Sequence, residues 1–261
     1  MSLEMGTNGQ PAARLRVAAA GDVHADESRR ADLEAAFARL RGEADLVLLA
    51  GDLTTLGEPE QAQVVADASR RVDVPVFAVL GNHDWHTNRA GEVVDVLEDA
   101  GIVVLQRSWT RVEVNGARVG IVGTKGFVGG FPGSHMPDFG EPLLREVYAY
   151  ATQEVEALEQ GLRETADCDL RLVLLHYSPT LMTIEGERPE IAAFLGNDRL
   201  AHPIADHEPD LVVHGHAHAG RFDGSIGSVP VFNVALPMAA EFWLFELSAD
   251  RTRAPEYELI G

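Results

Sequence analysis

Val74-Pro75-Val76-Phe77-Ala78-Val79-Leu80-Gly81-Asn82-His83-Asp84 is the stretch on which the fold turns. Its first part, residues 74–80, is an apolar run with the length and composition of a buried strand. It stops at a glycine, and three polar side chains that can bind metal or move protons follow at once. In open α/β sheets such groups collect at the carboxyl ends of strands, where loops leave the layer. The same arrangement recurs on either side. Residues 14–20 run into Gly21-Asp22-Val23-His24, residues 45–50 into Gly51-Asp52, residues 170–175 into His176, and residues 211–214 into Gly215-His216-Ala217-His218.

The segments between these runs read as helices. Apolar residues at helical spacing predict helices over residues 28–41, with Ser28 as its cap, 58–71 and 90–100, the last stopped by Gly101. Strand and helix alternating in this way imply right-handed βαβ units and a parallel sheet. Short strands follow at 102–105, 109–114 and 118–122, the last two joined by the hairpin signal Asn115-Gly116. A glycine-rich loop (123–141), a helix (142–164) and an irregular helical region (189–207) come next. The tail, 220–260, reads as antiparallel strands with turns at Asp223-Gly224 and near Gly227. The expected fold is α/β, a sandwich of two packed mixed β-sheets flanked by helices. Residues 14–261 are expected to form a single domain, and residues 1–13 a polar arm outside it, disordered or left over from cloning.

Composition narrows the function. Acidic residues outnumber basic ones 41 to 21, for a formal charge of −20. Coating nucleic acid or an anionic membrane requires the opposite sign, so neither partner is expected. No apolar stretch approaches the ~20 residues of a membrane helix, and the amino-terminal residues lack the apolar core of a secretory signal; a cytoplasmic protein is expected. The single cysteine, Cys168, has no internal disulfide partner, and the flanking Asp167 and Asp169 disfavour its thiolate.

Each motif alone is weak, since a Gly-Asp after a strand is usually a turn. Together, Asp22, His24, Asp52, Asn82, His176, His216 and His218 supply enough oxygen and nitrogen donors for two metal ions, with His83 to spare. Imidazole mixed with carboxylate and amide oxygen favours first-row transition metals over magnesium or calcium.

The order Asp-x-His, Gly-Asp, Gly-Asn-His-Asp, His, Gly-His-x-His resembles the calcineurin-like metallophosphoesterase superfamily over about residues 15–234. The resemblance implies a four-layer sandwich and two divalent or mixed-valence transition-metal ions, manganese and iron first, zinc as a further candidate. It implies Asp22, His24 and His218 as ligands of one metal, Asn82, His176 and His216 of the other, and Asp52 as the bridge. It further implies His83 as a catalytic histidine outside the ligand set, oriented by Asp84. The Asp-Arg-Gly and Arg-Gly-Asn-His-Glu signatures of the phosphoprotein phosphatases are replaced here by Asp52-Leu53-Thr54 and Leu80-Gly81-Asn82-His83-Asp84. The bacterial small-molecule and diesterase branch is therefore the nearer one.

The expected activity is hydrolysis of small phosphodiesters by a metal-activated hydroxide. Phosphomonoester or nucleotide pyrophosphate hydrolysis on the same site is the alternative, ahead of nuclease activity. A non-catalytic binding scaffold is disfavoured because no ligand position is missing. Among other residues, His214 is expected to be structural, His86 and the 123–141 loop with Lys125, Phe131, His135 and Met136 are candidates to line the site, and Asn197 and Arg199 are weighed between phosphate contact and helix capping.

Overall fold

Strands buried on both faces need apolar residues at every position, and β2 meets that demand throughout and β1 from Val17 onward. The computed structural model describes residues 13–235, 241–249 and 255–260. Its elements are β1 (Arg14–Ala20), α1 (Arg30–Arg39), β2 (Leu46–Ala50), α2 (Pro59–Ser69), β3 (Val76–Val79), α3 (Ala90–Asp99), β4 (Val103–Val104), β5 (Ser108–Val114), β6 (Ala117–Gly123), α4 (Pro142–Glu164), β7 (Leu170–Leu174), α5 (Ala192–Leu195), α6 (Ala201–His207), β8 (Leu211–His214), β9 (Asp223–Ile226), β10 (Val229–Asn233), β11 (Phe242–Ser248) and β12 (Glu256–Ile260). One six-stranded sheet has the order β12-β11-β1-β2-β3-β4 and the other β5-β6-β7-β8-β10-β9.

Alternation along each strand stacks the layers. Leu15, Val17 and Ala19 of β1 and Leu46, Leu48 and Ala50 of β2 point between the sheets, where they meet Ile121, Leu172 and Val213. Ala18, Ala20, Val47 and Leu49 point the other way, onto Leu33 and Phe37 of α1 and Val64 of α2. On the far side, Leu158 and Leu162 of α4 and Ile204 of α6 cover the second sheet through Val122, Val173 and Val212. The result is the expected four-layer α/β sandwich. Its parallel centres, β1-β2-β3 and β6-β7-β8, are buried on both faces, as parallel sheets require, and the antiparallel strands lie outside them.

Three local expectations change. The first helix begins at Arg30, behind a 3-10 turn at Glu27–Arg29, and the capping side chain is Asp26, not Ser28: its carboxylate accepts from Ser28 N at 2.8 Å. Asp223-Gly224 is not a turn but the start of β9, paired with β10; the chain reverses at Gly227, whose φ of 59° suits a tight turn. The tail is also not wholly antiparallel, because β10 lies parallel to β8. The arm expected at residues 1–13 lies outside the described residues except for Ala13, whose carbonyl accepts from Ala249 N.

Candidate metal centre

The parallel centres end at a common rim, and the backbone there is folded tightly to bring polar side chains inward. Asp22 N donates to Gly51 O and His24 N to Asp52 O, tying the loops after β1 and β2 together. Asp22, His24, Asp52 and His216 sit at φ of 56°, 45°, 49° and 72°, a left-handed conformation that side chains adopt at a cost of about 1–3 kcal/mol each. Such strain persists only where surroundings enforce it, and at these four positions the residues are expected ligands. Gly81 and Gly215 permit the close approach: a Cβ would stand 2.1 Å from Asp52 Oδ1 at the first and 2.4 Å from Asp22 Oδ2 at the second.

All the expected ligand side chains converge. Asp22, His24 and His218 present donor atoms within 4.8 Å of one another, and so do Asp52, His176 and His216. A third set, His24, Asp52 and His83, makes Asp52 common to two clusters. Asp22 Oδ2 accepts from His216 N at 2.8 Å and its Oδ1 from His218 Nε2 at 2.8 Å. Asp52 Oδ1 accepts from His83 N at 2.8 Å. Asn82 joins through its Oδ1, 3.0 Å from His176 Nε2.

The outer contacts decide which ring nitrogens carry lone pairs. His176 Nδ1 donates to Ala50 O at 2.9 Å, so its neutral ring presents Nε2 as an acceptor. His216 Nε2 donates to Phe194 O at 3.0 Å, leaving Nδ1 for the centre. Burial holds His24 down to about 4 and His216 down to about 3, and it lowers His176 as well. These rings are therefore neutral near neutral pH. Burial and the neighbouring Asp22 raise Asp52. Asp22, although burial opposes its ionisation, is held below the usual range by the His218 hydrogen bond and adjacent histidines. The Asp22 bond in turn raises His218.

The donor set fits divalent cations on two observations. His24 Nε2 is buried with no hydrogen-bond partner, 3.9 Å from Asp52 Oδ2 and 4.0 Å from Asp22 Oδ1. On the other side, the lone pair of His176 Nε2 faces the amide oxygen of Asn82 at 3.0 Å, an acceptor with no hydrogen to share, and lies 3.5 Å from Asp52 Oδ1. A cation relieves both situations, and the mixed nitrogen and oxygen donors suit a first-row transition metal.

His83 lies beside this set with its ring 4.6 Å from that of His24, but its orientation differs from expectation. Its Nδ1 donates to Thr55 O at 2.8 Å. Asp84 does not reach it: fully buried, its carboxylate is occupied by Gly81 N, Leu53 N, Thr54 N and Thr54 Oγ1. Asp84 therefore clamps the loops after β2 and β3 together, because four donors converge on it where only a buried acceptor can satisfy them.

The remaining candidates separate. His86 packs on His83 with ring centroids 4.4 Å apart. His214 is buried away from the centre, bonded to Gly215 O and Thr183 Oγ1. Asn197 caps the 3-10 turn at Asp198–Leu200, and Arg199 bonds Thr152 and stacks on Tyr148. Phe131 is core, and His135 pairs with Asp198. Tyr177 is an unanticipated neighbour, its ring 4.5 Å from His216 and 5.4 Å from His176. Lys125 also belongs here, since both His176 N and Tyr177 N donate to its carbonyl. It is the only lysine among 21 basic residues, a signal the sequence carries openly.

Comparison with known proteins agrees with this geometry. Several solved structures share the fold: TT1561 of Thermus thermophilus (19% identity, TM-score 0.59, 94% of this chain and 98% of that one) and the phosphopantetheinyl hydrolase PptH of Mycobacterium tuberculosis (15%, 0.65, 95% and 96%). A putative 5′-nucleotidase of Staphylococcus aureus also aligns, at 18% identity and TM-score 0.61, over 95% of this chain and 54% of that one. No curated protein matches the sequence. The profile of calcineurin-like phosphoesterases matches residues 15–220, a span that takes in every rim residue described above, and the chain belongs to that family.

Proposed function

We propose that the protein is a dinuclear metal-dependent phosphoesterase acting on small phosphodiesters. The observation that carries this reading is the position of Asp52, common to two donor clusters. Asp22, His24 and His218 would hold one cation, Asn82, His176 and His216 the other, and Asp52 both. Two such ions supply Lewis acidity toward phosphoryl oxygens and an acidified water. The chain's own contribution is positional: the strained rim and the Asp84 clamp fix the donors, and Ala50 O and Phe194 O set the tautomers of His176 and His216.

His83 acts on the leaving group. With Nδ1–H held by Thr55 O, its cationic form carries a proton on Nε2, 4.0 Å from Asp52 Oδ2 and on the open side of the centre. That proton passes to the leaving oxygen as the phosphorus–oxygen bond breaks, and solvent restores it. A formal charge of −20 favours small substrates over polyanions. We read residues 14–261 as one domain, because β1 near one end pairs with β11 near the other. Among the described residues, no helix is long and apolar enough to cross a membrane.

A second reading, a phosphomonoesterase or nucleotide pyrophosphohydrolase, draws on Lys125, whose ammonium lies 5.2 Å from the ring of Tyr177, next to His176, and suits a substrate with more than one negative charge. The test uses protein stripped of metal and reloaded with manganese, iron or zinc, assayed on paired chromogenic diester and monoester substrates. Metal-dependent turnover with diester preference is expected. Monoester preference selects the second reading, and no turnover with two metals bound overturns both.

A further inference from the structure

All but one of the chain's 21 basic residues are arginine, and the single lysine follows β6 beside the candidate metal centre. Lys125 follows β6 on the strand that pairs in parallel with β7, with Gly123 opposite Leu174, so it emerges from the sheet next to His176. Its Nζ lies 4.4 Å from the ring centre of Phe127, 5.2 Å from Tyr177 and 5.3 Å from Tyr150. Among the described residues the ammonium itself has no ion-pair or hydrogen-bond partner. The nearby buried carboxylate, Glu154, is committed elsewhere: Oε1 lies 3.5 Å from Arg107 Nε, and Oε2 accepts from Thr124 Oγ1 and Gly126 N. Three aromatic faces orient an ammonium without neutralising it.

This ammonium borders a cleft of about 50 Å³ whose walls include Leu80, Trp85, Arg107, Lys125, Tyr150 and Glu154, the last with its charge already engaged by Arg107. The cleft adjoins the centre, since Leu80 and Trp85 each stand two residues from Asn82 and His83 respectively, and Lys125 O binds His176 N. A cleft of this size suits one small charged group.

We propose that Lys125, assisted by Arg107, forms an anion subsite for a second negatively charged group of the substrate, a carboxylate or a second phosphoryl, attached near the scissile phosphate. The proposal rests on the metal-dependent reading above and adds a substrate class to it: small phosphate esters bearing a second anion. It makes Lys125 a specificity residue that touches substrate away from the reacting phosphorus.

The test is calorimetric binding of 3-phosphonopropionate and propylphosphonate to zinc-loaded protein; the two are of similar length, and only the first carries a second anionic group, a carboxylate, beside its phosphonate. The wild type should bind 3-phosphonopropionate more tightly by about 10- to 100-fold, the scale of one charge-assisted hydrogen bond. Lys125→Met should abolish that preference while keeping metal content and propylphosphonate affinity, and Lys125→Arg should restore part of it. 1,3-Propanediphosphonate distinguishes the second group, carboxylate or phosphoryl, by which compound binds more tightly. Because the protein has one lysine, lysine-selective ¹³C labelling gives one side-chain amine reporter in the unmutated enzyme, and 3-phosphonopropionate should shift it far more than propylphosphonate does. Equal binding of both compounds to the wild type, or equal weakening of both by Lys125→Met, overturns the subsite alone. Failure of both to bind in a metal-dependent way overturns the underlying reading and the subsite with it.

Discussion

The rim after β1, β2 and β3 and the wall after β6 occupy the same end of the sandwich and are made by different rules. At the rim, residue types are dictated by coordination chemistry, and the backbone pays with left-handed conformations at Asp22, His24 and Asp52 and with glycines that a Cβ would force apart. In the wall, residues 124–141 pack by whatever contacts are at hand: Phe131 in a local core, His135 on Asp198, Lys125 over three rings. On the proposed function, the reaction constrains the first region and the choice of substrate falls to the second. Mutations should divide accordingly, with rim changes affecting metal and turnover together and wall changes affecting selectivity.

The largest effect is expected from Asp52→Asn. Removing one charge from the carboxylate common to two donor clusters should lower metal affinity by more than the ~10–100-fold typical of an outer contact, with activity lost in parallel; metal analysis and turnover on one sample check it. His83→Ala should keep full metal content and lose roughly 10²–10⁴-fold in turnover, the range of general acid–base catalysis. Turnover near wild type would remove His83 from the reaction. Gly81→Ala should come next. Its methyl would collide with Asp52, so the folded variant should lose about 10–100-fold in metal affinity without any ligand having been changed.

A smaller effect separates structure from chemistry. Burial holds His214 down to about 4, against an unfolded value near 6.5. Between those values the unfolded chain takes up a proton that the folded chain refuses, so this group's contribution to stability is intact above pH 6.5 and falls as pH drops toward 4. The stability advantage of metal-free wild type over His214→Gln, measured by urea unfolding, should therefore shrink across that window. A difference independent of pH would contradict the burial account.

The two regions also differ in how much the sequence discloses. The four-layer sandwich is legible because β1, β2, β3, β7 and β8 are apolar runs ending in polar tips, and the donor residues are legible because coordination chemistry admits few side chains. The orientation of His83 is not, since its partner is the carbonyl of Thr55, and a backbone oxygen leaves no trace in residue identity. The same holds for Ala50 O on His176 and Phe194 O on His216. Adjacency makes Asp84 look like the partner of His83, whereas the short turn at His83–Trp85 sends its carboxylate into the protein toward Gly81 N and Thr54 N. Ser28 looks like a helix cap only because helical spacing does not reveal the preceding 3-10 turn that Asp26 starts.

On the proposed function, Asp52 joins two cation sites. Calorimetric titration of stripped protein with manganese tests it most directly, run beside Asp52→Asn under the same conditions. Two equivalents should bind to the wild type, and both should bind more weakly to the variant. One equivalent in the wild type, or two that Asp52→Asn leaves unchanged, would contradict it.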